Sequence, residues 1–271
     1  METTARAARM VARGALRGLG AVLGYLWSGW GAMVSLLLFC GLWEWGAQHY
    51  GELLLPGPYA TMQQLVQMLR EGLAGGPLHI SARRAFYGLV AAVLAGSVLG
   101  MAAGRSMTAA MAARPMVTLL LGMPPIAWLV LAMLWFGMGD ATPVFTVFIA
   151  CLPLVFAAAM QGARTLDEQL RDVARVLRLP WWMRLTDVYL PHMLSWLFPA
   201  WITALGSAWK VVVMAELLAT TDGVGAELAI TRAQLDSAAS LAWILAVLVL
   251  LLAAEYLVLE PFKRLAERWR Q

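Results

Sequence analysis

The sequence predicts an all-α, polytopic membrane protein with six transmembrane helices, and three observations carry that reading. Of 271 residues, 61% are hydrophobic and only 13% charged, against about 25% charged in ordinary soluble domains. Uncharged apolar runs, each near the roughly 20 residues that cross a bilayer, recur six times. Basic residues gather at alternate ends of those runs. The runs are long and lack period-two alternation, which indicates helices rather than strands. Thirteen tryptophans fit the enrichment of aromatic rings at membrane–water interfaces.

Residues 1–20 come first. Arg6, Arg9, Arg13 and Arg17 follow one helical face there. The apolar run behind them is too long for a signal peptide and shows no clear small-residue cleavage site, so the segment reads as a basic anchor before an uncleaved span. On the anionic inner leaflet each basic residue contributes about 1 kcal/mol. The membrane domain is expected at 21–259, with spans at Gly18–Trp43, Ala85–Gly104, Pro115–Gly139, Ala141–Ala163, Val188–Trp209 and Ser237–Ala254. The fifth continues past Lys210 toward Leu218, and a short tail occupies 260–271.

Within the outer segment 50–80, the turn signals "LLPGP" and "LAGGP" bracket Met62, Leu65, Met68 and Leu69 at helical spacing. A short amphipathic helix at the membrane surface is expected. Cys40 and Cys151 both fall in apolar runs and read as small core residues.

Fifteen of the twenty Lys and Arg residues lie on the side of the N-terminus if the six runs alternate direction. The positive-inside rule then places both termini, and the loop 164–191, in the cytoplasm. The net charge of +4 is a topology signal and does not point to nucleic acid.

That loop contains "RDVARVLRLPWWMRLTDVYLP", Arg171 to Pro191, polar text between two lipid-soluble spans. Leu170, Val173, Ala174 and Leu177 form one apolar stripe, with Arg171, Asp172, Arg175 and Arg178 on the remaining surface. Pro180 suits the first turn of a second short helix carrying Trp182, Leu185 and Tyr189, and Pro191 marks the start of the fifth span. Spacing alone leaves two readings open: a solvated loop resting on the membrane, or a surface shaped to dock on a partner.

The stretch resembles the EAA loop of ABC-transporter permeases, Glu-Ala-Ala, three residues, Gly, nine residues, Ile-x-Leu-Pro. Asp172, Val173 and Ala174 stand at the first positions, and Val188, Tyr189, Leu190 and Pro191 close the pattern in register. "GMPPIAWLVLAMLWFGMGD", "GSAWKVVVMAELL" and "GVGAEL" resemble spans and a loop of the nitrate/sulfonate/taurine permeases. The resemblance implies the type I importer (MetI-like) permease fold in a bacterial inner membrane. It implies two permease copies as a homodimer, two copies of an ABC ATPase, and a periplasmic substrate-binding protein. Asp172, Val173, Ala174, Arg175, Arg178, Val188, Leu190 and Pro191 would then contact the ATPase. The family's Glu is Asp172 here, and its Gly is Arg178, so the turn at Leu179-Pro180 is expected to be built differently.

The chain itself offers no P-loop: Lys210 is followed by Val211 and Lys263 by Arg264. His49, His79 and His192 are scattered, with no metal cluster or nucleophilic triad. No cofactor is expected on this non-catalytic subunit, and ATP and Mg would belong to the partner ATPase. For the translocation pathway the candidates are Pro124, Pro125, Trp128, Lys210 and Glu216. The proline pair either kinks a packed helix or frees carbonyls to line a cavity. Lys210 costs roughly 2.5–3.5 kcal/mol in a span unless it faces protein or water. It is either an anion-attracting pathway group or half of an ion pair with Glu216 or Glu44. Glu216 itself reads as interfacial or as part of an outer gate.

The expected function is passage of a small solute such as a sulfonate, taurine or nitrate. A pyrimidine vitamin precursor is the alternative solute. An ion-gradient-driven transporter is the alternative class; it would show inverted repeats and midplane acidic residues, and neither is visible.

Overall fold

The computed structural model of the protein describes residues 30–31, 33–165, 176 and 180–255. The segment 1–20, most of the first expected span and the tail 260–271 lie outside them. The chain divides into two compact units, 1–62 and 63–271. Every regular element among the described residues is helical.

In the first unit, helix α1 covers 33–50 and stops at Gly51, whose positive φ of 83° suits a helix C-terminus. The chain then folds back: the Trp43 indole donates to the Pro56 carbonyl at 2.9 Å. Gly57 lies against Glu44, where a Cβ would come within 2.8 Å of the carboxylate. Cys40 is exposed on α1, contrary to its reading as a core residue. α2, Pro58–Arg70, begins in the first unit and belongs to the second from residue 63 on; it starts on a proline whose missing N–H would have no helical partner there.

The second unit is built on α3 (Gly75–Gly104), α6 (Ala141–Arg164) and α8 (Leu190–Ala219). α3 and α6 run parallel in close contact because α3 presents Gly88, Ala92, Gly96, Gly100 and Gly104, one small residue per four. A Cβ on Gly88 would lie 2.7 Å from Val147, on Gly100 2.7 Å from Ala159, and on Gly104 2.6 Å from Ala163. In lipid, helix association depends on such close packing, since tails are as apolar as leucine. α8 closes the core with Leu197, Ala204, Ala208 and Val212 against Val147, Cys151 and Val155 of α6.

α4 (Met107–Gly122) and α5 (Pro125–Phe136) replace the single third span expected at Pro115–Gly139. The two helices meet at 91°. Met123 and Pro124 are both extended, with ψ of 124° and 137°, as residues preceding a proline are driven to be. A tandem proline therefore breaks the helix outright. Four other helices are long and apolar enough to cross a membrane: Gly75–Gly104, Ala141–Arg164, Leu190–Ala219 and Ser237–Ala254. The bent pair makes five among the described residues if it counts as one span.

The short α7 (Trp181–Arg184) runs through one π turn, Leu185–Tyr189, directly into α8. The expected second short helix is thus the foot of the fifth span. Pro191 lacks an N–H and crowds the carbonyl four residues back; one widened turn absorbs that. α9 (Val224–Ala233) and α10 (Ser237–Ala254) follow, the latter capped by Asp236, which accepts from Ala239 N at 2.9 Å.

α2 is amphipathic as expected, but its face is turned. Leu65 and Met68 are buried, in a cluster with Ala74, Val224, Ala242, Trp243 and Ala246. Met62 and Leu69 are exposed. The buried line is Thr61, Leu65, Met68, a threonine standing where a hydrophobic count finds nothing.

Candidate functional site

At the end of the second unit where α3 and α6 begin and α8 finishes, five charged side chains meet. Arg84 lies on the first turns of α3, one turn after Ser81, so both point the same way. Glu216 sits on the last turn of α8 and is fully buried, while Arg84 is 2% exposed. Arg84 Nη1 donates to Glu216 Oε1 at 3.0 Å and to the Asp222 carbonyl at 2.9 Å. Its Nη2 donates to Asp222 Oδ1 at 2.7 Å and to Asp140 Oδ1, and Nε reaches the same Asp140 oxygen at 2.9 Å. Every guanidinium donor is thereby used. Ser81 Oγ and the Gly225 N–H complete Glu216, donating to Oε2 at 2.6 and 3.1 Å.

The turn between α8 and α9 explains "GVGAEL". Gly223 has φ of 94°, and a Cβ there would come within 2.6 Å of the Glu216 carboxylate. A Cβ on Gly225 would lie 2.5 Å from Glu216 Cβ. Two glycines let the backbone close over a buried acid. Asp140, on the α5–α6 link, and Asp222 keep half their surface open. The Arg84 hydrogen bond holds the Asp140 carboxyl below the usual carboxylate range, with Arg84 and Arg83 charges adding to it. Three carboxylates converge here, but Arg84 and Arg83 already occupy them. The arrangement is a lock joining four segments, with no open ligand position among the described residues.

The opposite end of α6 meets the foot of α8. His192 Nε2 lies 3.0 Å from the Gly162 carbonyl oxygen, and a shallow cleft is lined by Thr165, His192, Ser195, Trp196 and Pro199. Asp172, Val173, Ala174, Arg175 and Arg178 lie outside the described residues. Val188 is in the π turn, and Leu190 and Pro191 open α8.

The remaining expected residues do not gather into one cavity. Pro124 and Pro125 are exposed at the α4–α5 break, and Trp128 is half-buried with its indole nitrogen unpartnered. Lys210 does not pair with Glu216, whose carboxylate belongs to Arg84. It stands exposed on α8, with no hydrogen bond or ion pair among the described residues. Glu44 accepts from Gln48 within its own helix. Glu216 is wholly enclosed rather than interfacial. None of Arg83, Arg84, Ser81, Asp140 and Asp222 was singled out from the sequence as a site residue; the two arginines counted there only among the few basic residues of the outer side. In the sequence the arginine pair stands just ahead of the expected span at Ala85; because the helix already begins at Gly75, the pair lies within it, where a charge demands partners.

Residues 92–265 match the family model described as "Binding-protein-dependent transport system inner membrane component". A Bacillus subtilis (strain 168) chain named for aliphatic sulfonates transport as a permease is 30% identical over 172 residues, 64% of this chain and 62% of that one. The taurine transport system permease protein of Escherichia coli (strain K12) is 30% identical over 183 residues, 66% of each. The nitrate import permease protein of Synechococcus elongatus is 26% identical over 205 residues, 71% of this chain and 73% of that one. The match thus spans just under two thirds of the first two relatives' length. A crystal structure of an amino acid ABC transporter with histidines shares the fold at a TM-score of 0.51, with 17% identity over 76% of this chain and 96% of that one.

Proposed function

The chain belongs to the family of inner-membrane components of binding-protein-dependent transport systems, and we propose that it is the permease subunit of an ATP-driven importer for a small anion such as a sulfonate, taurine or nitrate. A permease subunit of this kind is not an enzyme; hydrolysis falls to a separate ATPase chain. The observation that carries the solute class is the agreement of three relatives on small oxyanions or their zwitterionic kin. None of the three favours a pyrimidine precursor.

In this reading two copies of the chain pair across the membrane, with both termini and the segment 164–191 in the cytoplasm. Asp172, Val173, Ala174, Arg175 and Arg178 seat on an ATPase pair. Motion of that seat passes through Val188, Leu190 and Pro191 into α8, because α7, the π turn and α8 form one unbroken rod. The Arg84 end faces the periplasm and the binding protein. There the Arg84–Glu216 lock ties the far end of the rod to α3 and the heads of α6 and α9, so that α8 moves with a defined set of partners.

The test is uptake by proteoliposomes holding the permease, its ATPase and its binding protein. Labelled taurine, an alkanesulfonate and nitrate should enter only with ATP and binding protein present. Uptake that needs no ATP and collapses with an ionophore would establish the ion-gradient class instead.

A further inference from the structure

The exposed positions of α8 are not scattered. Trp196, Pro199, Thr203 and Lys210 are exposed, and half-buried Ser207 falls on the same line, so that 203, 207 and 210 follow one helical stripe. Gly206 lies beside that stripe, and a Cβ built on it would meet nothing within 4 Å. The middle of a membrane helix thus presents two hydroxyls, a gap and an ammonium with no partner among the described residues.

A lysine at such depth costs roughly 2.5–3.5 kcal/mol against hydrocarbon, which favours water or protein over lipid on this face. Lys210 lies six residues before Glu216, about 9 Å along the axis at 1.5 Å per residue. Helical side chains lean toward the N-terminus, so Lys210 is directed away from the Arg84 end and deeper into the span. Snorkelling to the nearer interface runs against that tilt. The two hydroxyls are also available. Thr203 Oγ1 donates to the Pro199 carbonyl at 2.9 Å and Ser207 Oγ to the Thr203 carbonyl at 3.0 Å. Those carbonyls already serve the helix ladder, so a hydroxyl can rotate to a ligand without stranding them.

We propose that Thr203, Ser207 and Lys210, with the gap at Gly206, form an anion subsite in a water-filled path, taking a small oxyanion such as a sulfonate or nitrate on the Lys210 ammonium. The subsite rests on the importer reading and adds to it the residues that meet the solute. Its charge also suits the reading: one cation per copy attracts an anion without the tight multi-point grip that would block release.

The test uses the full complex in proteoliposomes, with C40A/C151A as background and S207C as the probe position. Methanethiosulfonate reagents of opposite charge, the anionic sulfonatoethyl and the cationic trimethylammonium-ethyl forms, are compared for rate. The subsite predicts that S207C reacts with both from water, the anionic reagent several-fold faster relative to the same ratio on a free thiol, and that K210Q removes the preference while K210R keeps it. Taurine or nitrate should slow the reaction in wild-type charge background. An S207C thiol that neither reagent reaches means the face is covered by protein, and a ratio indifferent to K210Q means the ammonium is elsewhere; either overturns the subsite. Wild-type complex lacking ATP-driven uptake of any tested anion would instead refute the importer reading, separately from these rates.

Discussion

Arg84 and Glu216 stand 132 residues apart and meet at 3.0 Å, the arginine almost wholly and the glutamate wholly out of contact with solvent or lipid. Breaking such a pair from one side strands a charge, at a cost of about 3–5 kcal/mol, whereas replacing both partners with apolar residues is often close to neutral. R84Q and E216Q are therefore each expected to lower thermal stability in detergent sharply. R84M/E216M should recover part of that loss, although Asp140 and Asp222 then lose their cation. Intrinsic fluorescence of the purified chain measures it; additive single losses would show the pair to be uncoupled.

Asp140 gives the lock a pH dependence. Its carboxyl is held below the usual range by Arg84, so the unfolded chain takes up this proton at a higher pH than the folded one. Stability from the contact is present above the unfolded value, about 3.9, and is lost as pH falls through the lower folded value. Unfolding temperatures between pH 6 and 3 should fall less steeply for D140N than for wild type, with D140N already lower at pH 6. Parallel curves would remove Asp140 from the account.

The α3–α6 seam predicts a graded glycine series. A Cβ on Gly100 would overlap Ala159 at 2.7 Å, one on Gly96 would press Val155 at 3.0 Å, and one on Gly122 would meet nothing. Overpacking costs about 1–3 kcal/mol. G100A is expected to destabilise most, G96A less, and G122A not at all, which thermal unfolding would rank directly.

How much of this was legible depended on distance along the chain. The spans from Ala85, Ala141 and Ser237 were readable because each hydropathy run is local, and α8 indeed ends at Ala219, one residue beyond the expected Leu218. The third run reads as one helix because hydropathy averages over Pro124-Pro125, while the backbone cannot: the interruption expected there is a break of 91°. On α2, counting apolar residues picked Met62 and Leu69, but the helix buries Thr61, whose hydroxyl is met by the Gly57 carbonyl at 3.0 Å. The lock was invisible for a different reason. Its partners lie 56, 132 and 138 residues from Arg84, and no periodicity reports such contacts. "GVGAEL" was recognised only by resemblance; its glycines acquire a physical reason once Glu216 is seen beneath them.

The π turn ahead of Pro191 makes a prediction about force transmission. Removing the proline restores the N–H and the ordinary ladder, so P191A should tighten the turn by one residue and rotate the α7 end by about 100° relative to α8. Expression and assembly are expected to persist. Solute-stimulated ATPase activity of the reconstituted complex should fall several-fold while basal hydrolysis stays. Unchanged stimulation would mean that the phase between α7 and α8 carries no force.

In the proposed importer, the segment ahead of α8 is gripped by a separate ATPase. Val176, 81% exposed, stands within it. V176C on the C40A/C151A background, co-expressed with the partner ATPase and treated with a short bifunctional maleimide, should give a permease–ATPase adduct. Nucleotide should alter its yield, and the membrane-impermeant reagent should fail on intact spheroplasts. Labelling of V176C from the outside, or no adduct with any co-purifying ATPase, would mean that no ATPase grips this segment.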